Sequence, residues 1–174
     1  MMGQMKRREY HISEVKEYIL EALDSGKVDA YLVPAVSFDG EYVSLTTYYE
    51  GYITADRISF TDILQLVNML IKVIDNLIDA ENHLIYHGCF NFEASSVFYS
   101  PELNDVKLEF SFCDEGRDLD NLFDSLREGY RGSDIYTCER ISKYIRRNNP
   151  GLSMLKKELV EIKRGIISMR TQSP

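Results

Sequence analysis

The stretch His87–Phe112, HGCFNFEASSVFYSPELNDVKLEFSF, decides how the rest of the chain is read. A His-Gly pair leads into two short runs, Val97–Ser100 and Val106–Phe112, rich in Val and Phe. Branched and aromatic side chains fit a pleated, half-buried surface, so both runs predict strands. Between them, Pro101 presets one backbone angle and Asn104-Asp105 can bond to their own backbone, which predicts a tight turn.

Upstream lies the strongest periodic segment. Over Thr61–Asn82, Ile63, Leu64, Val67, Leu70, Ile71, Ile74, Leu77 and Ile78 recur at helical spacing, and Leu66, Met69 and Val73 widen the arc. A helix apolar on so many sides is covered on most of them, hence central. Ser59 and Asp62 supply its start, where a carboxylate also suits the helix dipole.

Further out, Ser13 predicts the cap of a first helix that Gly26 ends, with Ile12, Val15, Ile19, Ala22 and Leu23 on its buried face. Asp29–Phe38 and Glu41–Tyr49 are apolar segments joined by Asp39-Gly40, a hairpin signal because such turns need positive φ. On the other side, Leu119, Leu122, Phe123 and Leu126 mark one helix, and Ile135, Ile141, Tyr144 and Ile145 a second. After the Pro150-Gly151 break, Leu152, Leu155, Leu159, Ile162 and Ile166 mark a third. Neither repeats nor a low-complexity linker interrupt the chain. The expectation is one α+β domain over residues 10–170, a small antiparallel strand layer packed on a helical body, with residues 1–9 as a disordered arm.

Composition narrows the partners. The 174 residues carry a net charge of −8, which disfavours a broad nucleic-acid or anionic-membrane surface. Lys6-Arg7-Arg8, Arg146-Arg147 and Lys156-Lys157 read as solvated helix faces and a frayed terminus. Cys89, Cys113 and Cys138 are odd in number and lack knuckle or redox spacing, so they read as reduced thiols of a cytoplasmic protein. His83 and His87 lie four apart, but no third ligand is placed by motif, so no metal and no cofactor is expected. Residues Asp114, Glu115, Asp118 and Asp120 lack the alternation of a calcium loop and read as a solvated helix start. The start MMGQMKRREYH lacks the apolar core of a signal peptide, and Gln65, Asn68, Lys72, Asp75 and Asn76 interrupt the most apolar run, so no membrane insertion is expected.

The order helix, strand, Asp-Gly turn, strand, Tyr-Glu-Gly, long helix, His-Gly loop, strand, turn, strand resembles that of protein kinases, from the control helix into the large lobe. YVSLTTYYEG (Tyr42–Gly51) looks like the strand and hinge that hold an adenine ring. The resemblance covers roughly residues 11–125 and implies a reduced protein-kinase-like fold. The residues that phosphoryl transfer needs are replaced. Two positions after His87, where the proton-accepting Asp stands in kinases, is Cys89; the Lys position is Asn91. Ser95 or Ser96 corresponds to the metal-binding Asn, and Phe110-Ser111-Phe112 stands for Asp-Phe-Gly, with Glu109 the nearest carboxylate. No glycine-rich loop precedes them. The resemblance therefore implies a pseudokinase rather than an enzyme.

Two narrower resemblances fit the same body. The chain is similar to the cytoplasmic pseudokinase domain of the type VII secretion subunit EssB/YukC. It also resembles an uncharacterised Firmicute domain found ahead of forkhead-associated domains, over Glu41–Tyr130, including the strand and turn Val97–Glu102. Both imply a protein-binding module, a soluble component or cytoplasmic head of a Gram-positive secretion or pilus-type assembly. Tyr48, Tyr49 and Tyr52, with Tyr42 and Phe60 nearby, are the candidate partner contacts, since aromatics dominate interface hot spots; cross-strand packing is the competing reading. The rival functions are a nucleotide-sensing regulatory domain without phosphoryl transfer, and an enzyme using Cys89 beside His87 as a nucleophile pair.

Overall fold

The structure, a computed structural model, describes residues 4–112 and 119–172. It is α+β, with two sheets rather than one layer. Strands β1 (Met5–His11), β4 (Tyr42–Tyr48) and β3 (Ala35–Asp39) form an antiparallel sheet in the order β1-β4-β3. Strands β2 (Tyr31–Leu32), β7 (Asp105–Glu109), β6 (Val97–Ser100) and β5 (Ile53–Thr54) form the second, in the order β2-β7-β6-β5. The second sheet is mixed, because β2 runs parallel to β7.

The predicted hairpin is β3–β4. Asp39 pairs with Tyr42, leaving Gly40-Glu41 as a two-residue loop, and Gly40 has φ +58°. A positive φ at the first central position is what such hairpins require. The turn between β6 and β7 is closed by Asn104 at φ +49°, a conformation Asn tolerates better than most residues.

Helix α2 (Ile63–Asn82) is the core. Leu66, Val67, Leu70, Val73, Ile74 and Leu77 are all buried. Around it pack α3 (Leu119–Arg127), β7 and α5 (Leu152–Gln172), and α4 (Ile135–Asn148) joins α3 to α5. Helix α5 buries Leu152, Leu155, Leu159, Ile162 and Ile166, the face the periodicity predicts. Asp62 caps α2: its carboxylate accepts the Leu64 N–H at 2.9 Å, while Gln65 reaches back to the Asp62 N–H at 3.3 Å. The cap therefore pairs Asp62 with Gln65, not with Ser59.

Two N-terminal expectations are corrected. Residues 5–9 are not a disordered arm; Met5–His11 is a strand paired with β4 along its full length. Its side chains alternate, with Lys6, Arg8 and Tyr10 turned inward, so its buried face is basic rather than apolar. Ser13 does not cap the first helix. It lies in the 3-10 turn Ile12–Glu14, whose cap is His11, and α1 (Glu17–Ser25) begins later. Cys113, Asp114, Glu115 and Asp118 lie outside the described residues. Asp120, at the start of α3, pairs with Arg146 of α4 at 2.7 Å.

Candidate functional site

The end of β7 carries a carboxylate that nothing in its local sequence compensates. Glu109 is 1% exposed, and an isolated charge there costs several kcal/mol. Its partners come from far away in the chain. Arg8 Nε donates to Oε1 at 2.6 Å and Arg8 Nη2 to Oε2 at 3.1 Å. Lys6 Nζ reaches Oε2 at 3.2 Å, and Ser96 Oγ donates to the same oxygen at 2.7 Å. Lys6 also donates to the Ser95 carbonyl and lies 5.5 Å from the centre of the Phe98 ring. Burial pushes the Glu109 carboxyl up. The hydrogen bonds from Arg8 and Ser96, with the charges of Arg8 and Lys6, outweigh burial and hold it below the usual carboxylate range. The Arg8 guanidinium is raised in turn, chiefly by its bond to Glu109.

This cluster joins β1 of the first sheet to β7 of the second and to the residue before β6. A carboxylate offers about four acceptor sites. Here four donor contacts, from two cations and a hydroxyl, converge on it: Arg8 Nη2, Lys6 and Ser96 on Oε2, and Arg8 Nε on Oε1. Among the described residues, no group of three His, Cys, Asp or Glu side chains is placed to hold a metal.

The other loop positions are built into the interior. Cys89 is 9% exposed; its N–H donates to the Tyr86 carbonyl and its carbonyl accepts from Ser111. Cys89 and Cys138 are both buried thiols, and burial pushes Cys138 up. Asn91 is buried, with its amide 3.3 Å from the Glu93 carboxylate. Phe110 is a core residue. Its ring lies 5.4 Å from Tyr31, 5.4 Å from Phe112 and 6.2 Å from Phe90. Tyr31, desolvated within this aromatic group, has its hydroxyl pushed up to about 12. His87 opens the 3-10 turn His87–Cys89, and His83 at the end of α2 bonds its own helix through Nδ1 and the Asp79 carbonyl at 2.8 Å.

The three candidate tyrosines separate. Tyr48, at the end of β4, is 57% exposed. Tyr49 is half-buried and stacks on Phe98 with ring centres 5.0 Å apart. Tyr52 is half-buried and donates its hydroxyl to Asp105 at 3.1 Å; burial first, then this bond, pushes it up to about 12. Register places Tyr48, Tyr42, Met5 and His11 on one face of the first sheet, Met5 opposite Tyr48 and His11 opposite Tyr42. Tyr42 and His11 meet edge to face at 5.7 Å. Tyr42 and Met5 are both about half exposed, so this outward face presents two tyrosines and a methionine to solvent. Met5 was invisible to the sequence reading because its segment was not assigned to a strand.

No protein-family model matches the sequence, and no curated protein is significantly similar to it. Among solved structures, the chain is similar to the cytoplasmic fragment of EssB from Geobacillus thermodenitrificans. The TM-score is 0.60 and the identity 14%, over 97% of this chain and 88% of that one. At that identity the likeness is one of fold. No helix among the described residues is long and apolar enough to cross a membrane.

Proposed function

We propose that this protein is a non-catalytic, pseudokinase-like protein-binding module, a cytoplasmic component or head of a secretion or pilus-type assembly. The observation that carries this reading is Glu109, buried and held by two cations and a hydroxyl. The carboxylate nearest the metal position is spent on Lys6, Arg8 and Ser96, so it holds the two sheets together instead of an ion. Phosphoryl transfer relies on positioned charge and metal, and a pinned, neutralised carboxylate supplies neither. The fold likeness to the EssB fragment supports the assignment to a secretion apparatus.

The contact surface is the outward face of β1 and β4 around Tyr48. Tyr49 and Tyr52 support it from inside. The test is a photo-reactive side chain placed at Met5, opposite Tyr48 on the same face, in the native host, with the cross-linked protein identified by mass spectrometry. A cross-link to an envelope-apparatus component, lost on competition with the unmodified protein, is expected. Tyr48→Ala should abolish capture while leaving the melting temperature unchanged. Capture that persists undiminished in Tyr48→Ala would refute the surface.

A further inference from the structure

A second surface lies on the opposite type of element, where α2, the β6–β7 turn and α5 meet. A groove of about 500 Å³ opens there, within the usual size of a ligand site. Its walls include Phe60, Met69 and Tyr99, and its polar groups include Lys72, Lys163 and Asn104. Among the described residues, no carboxylate lines it. That is unexpected for a chain whose net charge is −8.

The two cations are differently held. Lys72 donates to both the backbone carbonyl and the side-chain oxygen of Asn104, and lies 5.9 Å from the centre of the Tyr99 ring. It is oriented by neutral acceptors and a ring face, and has no ion-pair partner among the described residues. An ammonium has three hydrogens, so one remains after the two Asn104 bonds. Lys163, half-buried on α5, has no ion-pair partner among the described residues. Several other cations of the helical surface are matched: Lys156 pairs with Asp75 at 2.6 Å, Arg140 with Glu158 at 2.6 Å and Arg170 with Asp62 at 2.7 Å.

We propose that this groove binds a peptide segment in which carboxylate side chains alternate with apolar ones. The apolar walls take the aliphatic or aromatic side chains, and Lys72 and Lys163 take the carboxylates. A compact anion such as phosphate is a poorer fit. Phosphate sites converge several donors on one point, often at a helix N-terminus. Here the cations sit on separate elements, with apolar surface among the lining residues. The groove shares no residue with the tyrosine face, and the inference stands whether or not that face binds a partner.

The test is fluorescence anisotropy with the full chain and a short fluorescein-labelled peptide of alternating Asp and Leu. A peptide of alternating Lys and Leu is the control. Lys163→Glu is the main variant, because Lys163 supports nothing in the fold; Lys72→Gln is the second, and Tyr48→Ala serves as a reference. The acidic peptide should bind saturably and weaken with salt, Lys163→Glu should lower affinity by about tenfold or more, and Tyr48→Ala should leave it unchanged. The proposal is overturned by absence of saturable binding, by equal binding of the lysine peptide, or by indifference to Lys163→Glu. Competition by free aspartate at the peptide's own concentration would also overturn it, since the site would then recognise a small acid.

Discussion

Replacing Glu109 by Gln keeps the shape of the side chain and removes its charge. The variant amide still accepts a bond from Arg8 but turns hydrogens toward Lys6 and Ser96, so Lys6 keeps only the Ser95 carbonyl and the Ser96 hydroxyl loses its acceptor on residue 109. Removing one partner from a buried ion pair costs roughly 3–5 kcal/mol. Lys6 and Arg8 retain 25% and 34% side-chain exposure, so both can turn partly to water, and the low end applies, about 3 kcal/mol. For a domain of this size, each kcal/mol moves the melting temperature by about 2–4 °C, so a fall of about 6–12 °C is expected. Circular dichroism melts measure it directly. The pH dependence has a definite sign. Because the folded carboxyl lies below its ordinary value of 4.5, its contribution is fully present above that pH and is lost as pH falls through the depressed value. The melting difference between wild type and Glu109→Gln should therefore shrink in acid. Substituting Lys6→Met, Arg8→Met and Glu109→Leu together should recover much of the loss, since an apolar cluster leaves no charge stranded. A Glu109→Gln variant that melts within about a degree of wild type would refute the view that this cluster ties the sheets together.

Two further outcomes follow from the same geometry. Asp62 caps α2 and is gripped by both terminal nitrogens of Arg170, at 2.8 and 2.7 Å. Asp62→Ala should cost about 0.5–2 kcal/mol, mostly from the lost cap, while Asp62→Asn keeps a capping oxygen and should cost less; equal losses in thermal melts would contradict this. The Arg170 bond, then the Leu64 N–H, lowers Asp62 to about 2, so its stabilisation is present above its ordinary 3.8 and fades as pH falls toward 2. Tyr49→Ala, unlike Tyr48→Ala, should destabilise the fold by about 2–4 kcal/mol, because it removes a ring packed on Phe98. Denaturant titration of the two variants distinguishes them.

How much was legible depends on what each residue's burial rests on. Helix α2 and the β3–β4 hairpin were plain, because their signals are local: a broad apolar arc and a glycine at a turn. Strand β1 was hidden. Its inward residues are Lys6, Arg8 and Tyr10, and a basic strand face looks like a solvated tail unless the compensating carboxylate is known. That carboxylate is Glu109, 101 residues away from Arg8, so no window on the sequence could pair them. Phe110 is apolar in the sequence, but that it joins an aromatic core with Tyr31, Phe90 and Phe112 was not legible, because Tyr31 and Phe90 lie far from it in the chain. Adjacent strand residues point oppositely, which foretold that Tyr48 and Tyr49 would differ; which one faced outward needed the position of Phe98. The lysine groove went unread because its cations lie on α2 and α5, and each alone is an ordinary helix-surface residue.

The central claim is that Glu109 serves a structural ion cluster with Lys6, Arg8 and Ser96 rather than a metal. Isothermal titration of the wild-type chain with ATP and magnesium addresses it most directly. The account predicts no saturable heat with or without the metal. Saturable, magnesium-dependent binding that Glu109→Gln abolishes would show Glu109 free to serve a metal, and would contradict the account.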